Sequence, residues 1–252
     1  MNFVFLCAII NEGDFMQRYF INYEQVNNDI INIIGEDVHH IKTVMRMKTG
    51  EKVMACTDEV NYLCEIISIT DIVKLKVLEV IKENNELPVS VTIAQGLVRR
   101  EKTEEVIRRI TELGASEYIP VVMKRSVVKA NNEKLDRWGR IVKEASEQSH
   151  RNKLLTISSP ITLKELINKK EEYDLCLFAH FDEDSNILDF YIKNNRIKKI
   201  LVLVGPEGGF DQSEVDLLKT NGFKVVSLGK RVLRTETAPL FLMSVISNEF
   251  EE

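Results

Sequence analysis

The sequence predicts an α/β protein in two parts, a small β-rich domain followed by a larger domain built on a parallel sheet. Before about residue 86, short runs of β-forming residues are broken by turn residues. After residue 89, apolar strands alternate with segments whose apolar residues recur at helical spacing. Such alternation indicates parallel strands joined by crossover helices. The chain has 252 residues, of which 44% are hydrophobic, which is enough to bury a core in each part.

The amino-terminal part is predicted from three β-type runs, 52–56, 62–69 and 73–80. The stretch 82–88 follows them and is polar, lacks apolar periodicity and ends in a proline. These features are typical of a linker, so we expect the two domains to meet there.

The next stretch predicts two strands, each followed by a helix. A strand at 89–94 leads to a helix at 102–113, which Gly114 ends as a C-cap. A strand at 118–123 leads to a helix at 135–149, whose apolar residues share one face. The pattern is that of strand-helix units in a parallel sheet.

Two further strands are expected at 174–179 and 199–204, and the second is strongly apolar. Asp211 and Glu214 have the spacing of a capping box, which predicts that a helix begins there. In open α/β sheets, ligands bind beyond the carboxyl ends of the strands. The turns after these strands are therefore where we expect a ligand.

The charge of the chain is unevenly distributed. A net charge of −5 argues against broad nucleic-acid binding. Between residues 95 and 153, however, fourteen Lys and Arg stand against nine Asp and Glu, a local charge of +5 that leaves −10 for the remainder. This segment is a candidate surface for phosphates, and a solvated helix face of mixed charge is the alternative.

Membrane, zinc and several nucleotide-binding classes fit the sequence poorly. The longest early apolar run, 3–10, is too short to span a bilayer and has no basic residues before it. The four cysteines form no C-x-x-C pair, which favours reduced thiols in the cytoplasm and argues against structural zinc. The sequence also lacks G-x-G-x-x-G, P-loop and G-x-S-x-G motifs, and its four histidines have no ligand spacing.

A glycine-rich turn, Gly205-Pro206-Glu207-Gly208-Gly209, directly follows the strongly apolar strand and precedes the capped helix. Its three glycines permit sharp turns and a close approach of the backbone to a ligand. A purely structural tight turn is the alternative. The position of the turn at the carboxyl end of a strand favours a ligand-binding role.

A second loop, 227–239, contains Arg231, Arg234 and Glu236. Thr237 is a suitable cap for the helix that follows, so part of the loop is structural. Capping does not explain two guanidinium groups and a carboxylate in one tight loop, because such groups are costly without partners. Arginine suits planar anionic or carbonyl groups, so we expect these three residues to be functional.

Together the two loops resemble the cofactor-binding loops of RsmE-type methyltransferases of the SPOUT superfamily. The resemblance covers residues 16–252, and residues 1–15 match nothing in the family pattern. Departures occur at Arg99-Arg100, where the family has a lysine-centred motif, and after Arg151, where its proline is replaced. The matching segments are Met16-Gln17-Arg18-Tyr19-Phe20, His39-His40-Ile41-x-x-Val44-Met45-Arg46-Met47-x-x-Gly50, Glu112-Leu113-Gly114, Pro120, Lys124-Arg125-Ser126-Val127-Val128, Glu144-Ala145-x-Glu147-Gln148-Ser149-x-Arg151, the glycine-rich turn, and Leu228-Gly229-x-Arg231-x-Leu233-Arg234-x-Glu236-Thr237-Ala238.

The resemblance implies methylation of uridine N3 in small-subunit (16S) ribosomal RNA, with S-adenosyl-L-methionine as cofactor and no metal. It implies a trefoil-knotted parallel sheet in the carboxy-terminal domain, a PUA-like β-barrel in the amino-terminal domain, and a homodimer. With the linker, it divides the chain into an extension at 1–15, a PUA-like RNA-binding domain at 16–87 and a SPOUT methyltransferase domain at 88–252. The knot follows from the resemblance alone, because pattern reasoning predicts an ordinary open sheet.

The resemblance also suggests roles for individual residues. Arg234 or Arg231 is expected to stabilise negative charge on the uracil, and Glu236 or Glu207 to accept the N3 proton or orient the base. The expected cofactor-binding residues are Leu177, Phe178, Gly205, Pro206, Glu207, Gly208, Leu228, Gly229 and Leu233. The expected RNA-contacting residues are Arg18, Arg46, Lys124, Arg125 and Arg151.

Two other functions stay open. One is a SPOUT methyltransferase that acts on a different RNA atom, such as a ribose 2′-hydroxyl. The other is an RNA-binding assembly protein without methyltransferase activity. Analysis of the modified nucleosides distinguishes the first, and cofactor binding without methyl transfer would indicate the second.

Overall fold

The computed structural model describes residues 16–82, 84–128, 135–181, 186–193 and 196–251. They form two compact units, which divide between Asn84 and Asn85. The expectation for the extension 1–15 lies outside the described residues. Among the helices that the structure describes, none is long and apolar enough to cross a membrane.

The first unit is a mixed six-stranded sheet with one short helix. All three strands predicted there are present, and α1 continues as one π-helical turn, His40–Val44. The elements are β1 (Arg18–Phe20), a 3-10 turn (Tyr23–Gln25), β2 (Val26–Asn27), β3 (Ile30–Ile33), α1 (Glu36–His39), β4 (Lys52–Cys56), β5 (Asn61–Ile69) and β6 (Val73–Ile81). The strand order is β1-β4-β5-β6-β3-β2, with β1 parallel to β4 and the other pairs antiparallel.

Alternation of side chains along the strands gives this sheet one buried face. Along β6, Val73 and Leu75 are buried, whereas Lys74 and Lys76 are exposed. The apolar residues of this face pack with those of β1, β3, β4 and β5 in a single core. The first unit therefore has its own hydrophobic core.

The second unit is an α/β domain, as predicted. Its elements are β7 (Ser90–Gly96), α2 (Arg100–Glu112), β8 (Glu117–Val122), α3 (Leu135–Gln148), β9 (Thr156–Ile157), β10 (Ile161–Thr162), α4 (Leu163–Asn168), a 3-10 turn (Lys170–Glu172), β11 (Leu175–Ala179), β12 (Asn186–Ile187), α5 (Leu188–Ile192), β13 (Lys199–Val204), α6 (Gln212–Thr220), β14 (Lys224–Ser227) and α7 (Thr237–Phe250). Every strand pair in its sheet is parallel.

The order of strands in this sheet is not sequential. It runs β10-β8-β7-β13-β11-β14-β12, with β9 paired to β8. β13 follows both β7 and β11 in the sequence but lies between them in the sheet, with Val202 opposite both Ile93 and Leu177. The trefoil knot itself stays a prediction.

The central strand β13 is buried on both faces. Ile200, Val202 and Val204 belong to one hydrophobic core, and Leu201 and Leu203 belong to the other. A strand covered on both faces has a continuous apolar sequence, which is the pattern of parallel strands in α/β sheets. Because β13 packs in both cores, it fixes the position at which the following turn begins.

The end of the predicted linker is anchored to the second unit. Asn85 N donates to Asn152 Oδ1 at 2.8 Å, and Glu86 accepts from the backbone N–H groups of Asn152 and Lys153 at 2.9 and 3.0 Å. The guanidinium of Arg151 is bonded to the same carboxylate. From Asn85 onwards, the polar stretch is therefore held in place by hydrogen bonds and is not a free tether.

Helix ends in the second unit agree with the sequence in part. Gly114 ends α2 with a φ of +87°, and Asp211 and Glu214 form the predicted capping box at the start of α6. Thr237, however, is the first residue of α7, and Glu236 occupies the cap position without a side-chain cap bond. The prediction that Thr237 caps this helix is therefore wrong. The backbone carbonyl of Arg234 instead accepts from the N–H groups at the helix start.

Candidate active site

A cavity of about 510 Å³ opens at the carboxyl ends of β11, β13 and β14. This is the edge of the sheet at which the sequence places the two loops, and it is where open α/β sheets bind ligands. The lining residues come from the ends of these strands, the loops that follow them, and the first turns of α2 and α7. They are Lys102, Ala179, His180, Phe181, Val204, Gly205, Pro206, Glu207, Gly209, Phe210, Ser227, Leu228, Gly229, Arg231, Val232, Leu233, Arg234, Thr235 and Ala238.

The glycine-rich turn forms one wall of the cavity. Gly209 has a φ of +66°, in the left-handed region that favours glycine, and its N–H donates to the carbonyl of Pro206 at 2.9 Å. A Cβ at Gly205 would lie 3.1 Å from the ring of Phe210. The turn is therefore compact, and its backbone lies beside the cavity.

A buried polar network ties the two loops together. The Gln95 side-chain amide donates to the carbonyl and the hydroxyl of Thr235 at 2.7 and 3.1 Å, and the Thr235 hydroxyl donates to the carbonyl of Gly205 at 2.7 Å. The Tyr118 hydroxyl donates in turn to the side-chain oxygen Oε1 of Gln95 at 3.0 Å. Since buried polar groups need partners, this network holds the second loop against the glycine-rich turn.

The second loop presents an unusual set of exposed side chains at the cavity. Arg231 and Arg234 are exposed, and Val232 between them is 94% exposed. Phe181, which lines the cavity from the end of β11, is 70% exposed. The cavity therefore has both cationic and apolar groups in contact with solvent at its rim.

The ammonium of Lys102, a lining residue, contacts two carboxylates, of which only Glu207 also lines the cavity. Lys102 Nζ lies 3.0 Å from Glu236 Oε2 and 3.7 Å from Glu207 Oε1. Burial favours the neutral acid at Glu236, but Lys102, the Glu236 backbone N–H and, more weakly, Arg234 together outweigh it and lower the pKa of this carboxyl. Glu236 is therefore held as a carboxylate. In the described part of the chain, no group of three or more His, Cys, Asp or Glu side chains is arranged to hold a metal ion.

Most of the residues predicted to bind the cofactor or to act in catalysis line this cavity. Those that line it are Gly205, Pro206, Glu207, Leu228, Gly229, Arg231, Leu233 and Arg234. Glu236 does not line it but contacts the lining residue Lys102. Leu177, Phe178 and Gly208 do not line it. Leu177 and Phe178 are fully buried, each in a different core, because adjacent residues of a strand face opposite sides of the sheet. Gly208 lies against Arg125 instead.

Sequence reasoning missed several residues of the site. Lys102, His180 and Phe210 line the cavity, and Gly96 and Gln95 support it from behind. Phe210 and His180 pack edge to face, with ring centroids 5.9 Å apart. Lys102 and His180 could have been predicted from their positions in the sequence, because Lys102 follows β7 and His180 follows β11 at the same edge of the sheet.

Two of the predicted RNA-contacting residues lie beside the glycine-rich turn. Lys124 Nζ donates to Asp211 at 3.2 Å and to Ser213 at 2.6 Å, and Arg125 Nη1 donates to the carbonyl of Gly208 at 3.1 Å. Ser213 and Lys124 lower the pKa of Asp211 to about 2. Lys124 and Arg125 are both exposed, so they combine a structural contact with access to solvent.

The other three predicted RNA contacts lie in different surroundings. Arg46 is exposed and has a φ of +53°, a conformation that is rare for residues with a side chain. Arg18 is half-buried, and its Nε and Nη2 atoms have no hydrogen-bond partner among the described residues. Arg151 is buried, and it bonds Glu86 and the carbonyls of Thr111 and Ala115. Because its guanidinium is buried and hydrogen-bonded within the protein, Arg151 is not in a position to contact RNA.

Comparisons with known proteins agree with this architecture. Residues 85–247 match a family model of the RNA methyltransferase domain, and residues 33–78 match one of the RNA methyltransferase PUA domain. The chain is 38% identical over 250 residues to the ribosomal RNA small subunit methyltransferase E of Bacillus subtilis, covering 94% of this chain and 98% of that protein. It is 33% identical over 232 residues to the Synechocystis protein of the same name, covering 91% and 77%.

A solved structure of a similar protein has the same fold. The crystal structure of a ribosomal RNA small subunit methyltransferase E from Neisseria gonorrhoeae, bound to S-adenosyl methionine, is 25% identical in sequence and superposes with a TM-score of 0.82. The match covers 92% of this chain and 97% of that one. The likeness therefore extends over both units and not over the methyltransferase domain alone.

Proposed function

The chain belongs to the ribosomal RNA small subunit methyltransferase E family, and from that premise we propose that it methylates N3 of a uridine in 16S ribosomal RNA. The protein is an RNA methyltransferase with a PUA domain, and its cofactor is S-adenosylmethionine. The finer proposal rests on the cavity formed by the two loops, which exposed Arg231 and Arg234 line and whose lining residue Lys102 contacts the ionised Glu236.

The cavity fits the cofactor in size and chemistry. Its volume of about 510 Å³ lies within the range of small-molecule sites. Backbone groups near Gly205, Leu228 and Leu233 would hold the adenine and ribose, and the carboxylates of Glu207 and Glu236 would complement a sulfonium. When bound, the cofactor supplies an electrophilic methyl group.

Uridine N3 carries a proton that must leave as the nitrogen is methylated. Glu236 would accept this proton or orient the base, with Glu207 as the alternative. Negative charge that develops across the uracil O2–N3–O4 system would be stabilised by Arg234, with Arg231 as the alternative, because a guanidinium offers a planar set of donors. Holding N3 in line with the methyl group would contribute further to the rate by positioning.

The methyl acceptor lies in structured RNA, so the enzyme has to recognise shape and expose one base. Exposed cations in both units suit contact with phosphates, namely Arg46 in the PUA domain and Lys124 and Arg125 beside the glycine-rich turn. Arg18 is proposed as a further phosphate contact from the family resemblance; its Nε and Nη2 atoms are buried and lack a partner in the described part of the chain.

We further propose a cytoplasmic homodimer with a trefoil-knotted second domain, and domain limits at 16–87 and 88–252. In bacteria, the source of the relatives named above, ribosomal RNA is assembled into subunits in the cytoplasm. The knot is supported by the insertion of β13 between β7 and β11. The dimer is supported by α7, on which the apolar side chain of Phe241 is 41% exposed. Sedimentation of the purified protein tests the dimer.

The decisive experiment is mass spectrometry of nucleosides from 16S ribosomal RNA of cells with and without this gene. We expect 3-methyluridine to disappear in the deletion strain and to return with the wild-type gene. Arg234→Ala should fail to restore it, whereas Arg108→Ala, at an exposed arginine of α2, should restore it. Loss of a 2′-O-methyl nucleoside would overturn the choice of N3. Unchanged nucleosides, with tight cofactor binding by the purified protein, would indicate an assembly protein.

A further inference from the structure

We propose that Lys102 is a positioning residue of the methyl-transfer site, because its ammonium joins Glu236 to Glu207 and holds Glu236 as the carboxylate that receives the N3 proton. This inference rests on the proposed function. It adds a residue that neither loop contains. Lys102 lies in the first turn of α2, far in sequence from both carboxylates.

Three separate segments meet at the Lys102 ammonium. The lysine follows β7, Glu207 follows β13, and Glu236 follows β14. Lys102 Nζ forms a close ion pair with Glu236 Oε2 at 3.0 Å and a looser ion pair with Glu207 Oε1 at 3.7 Å. A lysine ammonium has three donors, so it can contact both carboxylates at once. Lys102 thus links the glycine-rich turn to the second loop.

The two arginines of the loop do not provide this contact. Arg231 and Arg234 line the same cavity, but in the described part of the chain neither has an ion pair with Glu207 or Glu236 within 4.0 Å. Both arginines are exposed, whereas the side chain of Glu236 is only 15% exposed. Their guanidinium groups therefore remain available to a substrate, while Lys102 neutralises the half-buried carboxylate.

The charges that face Glu236 decide its ionisation. Lys102 faces it from α2, Arg234 from its own loop and Glu207 from the glycine-rich turn, and His180 and Arg231 line the same cavity. Burial raises the pKa of Glu236, and Lys102, the Glu236 backbone N–H and Arg234 together bring the pKa below its ordinary value. Without Lys102, only the backbone N–H and Arg234 would oppose the effect of burial. The pKa of Glu236 would then rise, and the carboxylate would be lost on the acid side of neutrality.

The proton transfer balances with these groups alone. The N3–H bond breaks and the proton passes to a Glu236 carboxylate oxygen. The N3 lone pair forms the bond to the methyl carbon, and the electron pair of the broken carbon–sulfur bond stays on sulfur. Lys102 keeps its proton throughout, so its part is to position and to ionise Glu236.

The test compares Lys102→Met and Lys102→Arg with the wild type in single-turnover methyl transfer to small ribosomal subunits, at saturating cofactor and over a range of pH. In the wild type, the rate should fall only below the ordinary pKa of a glutamate. In Lys102→Met, the pH below which the rate falls should be higher by about one unit or more. The rate of this variant at about pH 5 should then be roughly fourfold lower than its own rate at about pH 8. Lys102→Arg should keep the wild-type profile.

Lys143→Met is the matched control. The side chain of Lys143 is 30% exposed, against 31% for Lys102, and it also pairs with a glutamate on a helix, at 3.7 Å. We expect its profile to equal that of the wild type. If Lys102→Met lowers the rate by the same factor at every pH, or if its whole defect lies in cofactor affinity, Lys102 does not act through Glu236 and the proposal is wrong.

A second measurement does not need methyl transfer. The carboxyl carbon of Glu236, assigned with Glu236→Gln, can be titrated by ¹³C NMR in wild-type protein and in Lys102→Met. The midpoint should lie at higher pH in the variant, and equal midpoints would overturn the inference. If the wild type forms no 3-methyluridine, the proposed function fails, while this titration still decides the role of Lys102.

Discussion

Gly96 and Pro206 are in direct contact across the sheet, and there is no room for a side chain between them. A Cβ at Gly96 would lie 2.7 Å from the backbone nitrogen of Pro206 and closer still to its ring, and 2.9 Å from Met123 Sδ. Gly96 ends β7, and Pro206 is the second residue of the turn after β13. The end of one strand thus sets the position of the glycine-rich turn beside its neighbour.

Gly96→Ala should displace this turn. We expect a loss of about 1–3 kcal/mol in the free energy of unfolding, the scale of overpacking a filled site, together with weaker binding of S-adenosylmethionine. Urea unfolding and calorimetry measure the two effects. Gly139→Ala is the control, because a Cβ at this exposed glycine of α3 meets nothing within 4 Å and should stabilise the helix by about 0.4–1 kcal/mol. Wild-type cofactor affinity in Gly96→Ala would contradict the prediction.

Thr235→Val should loosen the contact between the two loops. Valine has nearly the same shape, but it cannot donate to the Gly205 carbonyl or accept from Gln95. Because Thr235 is buried, we expect a cost of about 1–3 kcal/mol in the free energy of unfolding. Urea unfolding measures this, with Thr156→Val at an exposed strand position as the control. Equal stability of the two variants would mean that the hydroxyl is not needed.

The buried pair of Glu86 and Arg151 should make stability depend on pH. Burial favours the neutral acid, but Arg151 and the backbone N–H groups of Lys153 and Asn152 outweigh it and lower the pKa of Glu86 below 4.5. Because the folded pKa is the lower one, the stabilisation is complete above about pH 4.5 and is lost as the pH falls through the folded pKa. Urea unfolding at a series of pH values should show the difference between the wild type and Glu86→Gln shrinking on acidification.

Arg151→Met tests the same pair from the other side. It leaves Glu86 half-buried without its cation, so we expect a loss of about 3–5 kcal/mol near neutral pH and a smaller loss once the carboxyl is protonated. Arg137→Met, which removes an exposed arginine that pairs with Glu104, should cost much less, because Glu104 keeps its pair with Arg100. Both losses in the free energy of unfolding are measured by urea unfolding. Similar losses in the two variants would show that the buried pair contributes no more to stability than the pair of Arg137 with Glu104.

Arg234→Lys should slow methyl transfer while cofactor affinity stays nearly unchanged. A point charge replaces a planar set of donors, and the loss of one preorganised donor costs roughly 10²-fold in rate. Raising the pH should restore part of the rate, since more uridine then enters without its N3 proton. Single-turnover kinetics and calorimetry check this. A normal rate, or a defect confined to cofactor affinity, would move Arg234 out of the catalytic role and favour Arg231.

Local patterns in the sequence were sufficient for the elements of the fold and for the position of the site. The apolar run 199–204, the helical spacing in 102–113 and the capping box at Asp211 depend on neighbours in the chain, and the structure contains the elements that they predict. The two loops could also be predicted to share a ligand, because the carboxyl ends of parallel strands lie at one edge of a sheet.

Tertiary structure decided the features that depend on residues distant in sequence. The insertion of β13 between β7 and β11 buries Leu177 and Phe178 in opposite cores, so the lining of the cavity starts one residue later, at Ala179. The burial of Arg151 and the approach of Lys102 to Glu236 likewise join segments that no local pattern connects. A local pattern records which face of an element is apolar, whereas the partner of a charged side chain is set by the packing of those faces against one another.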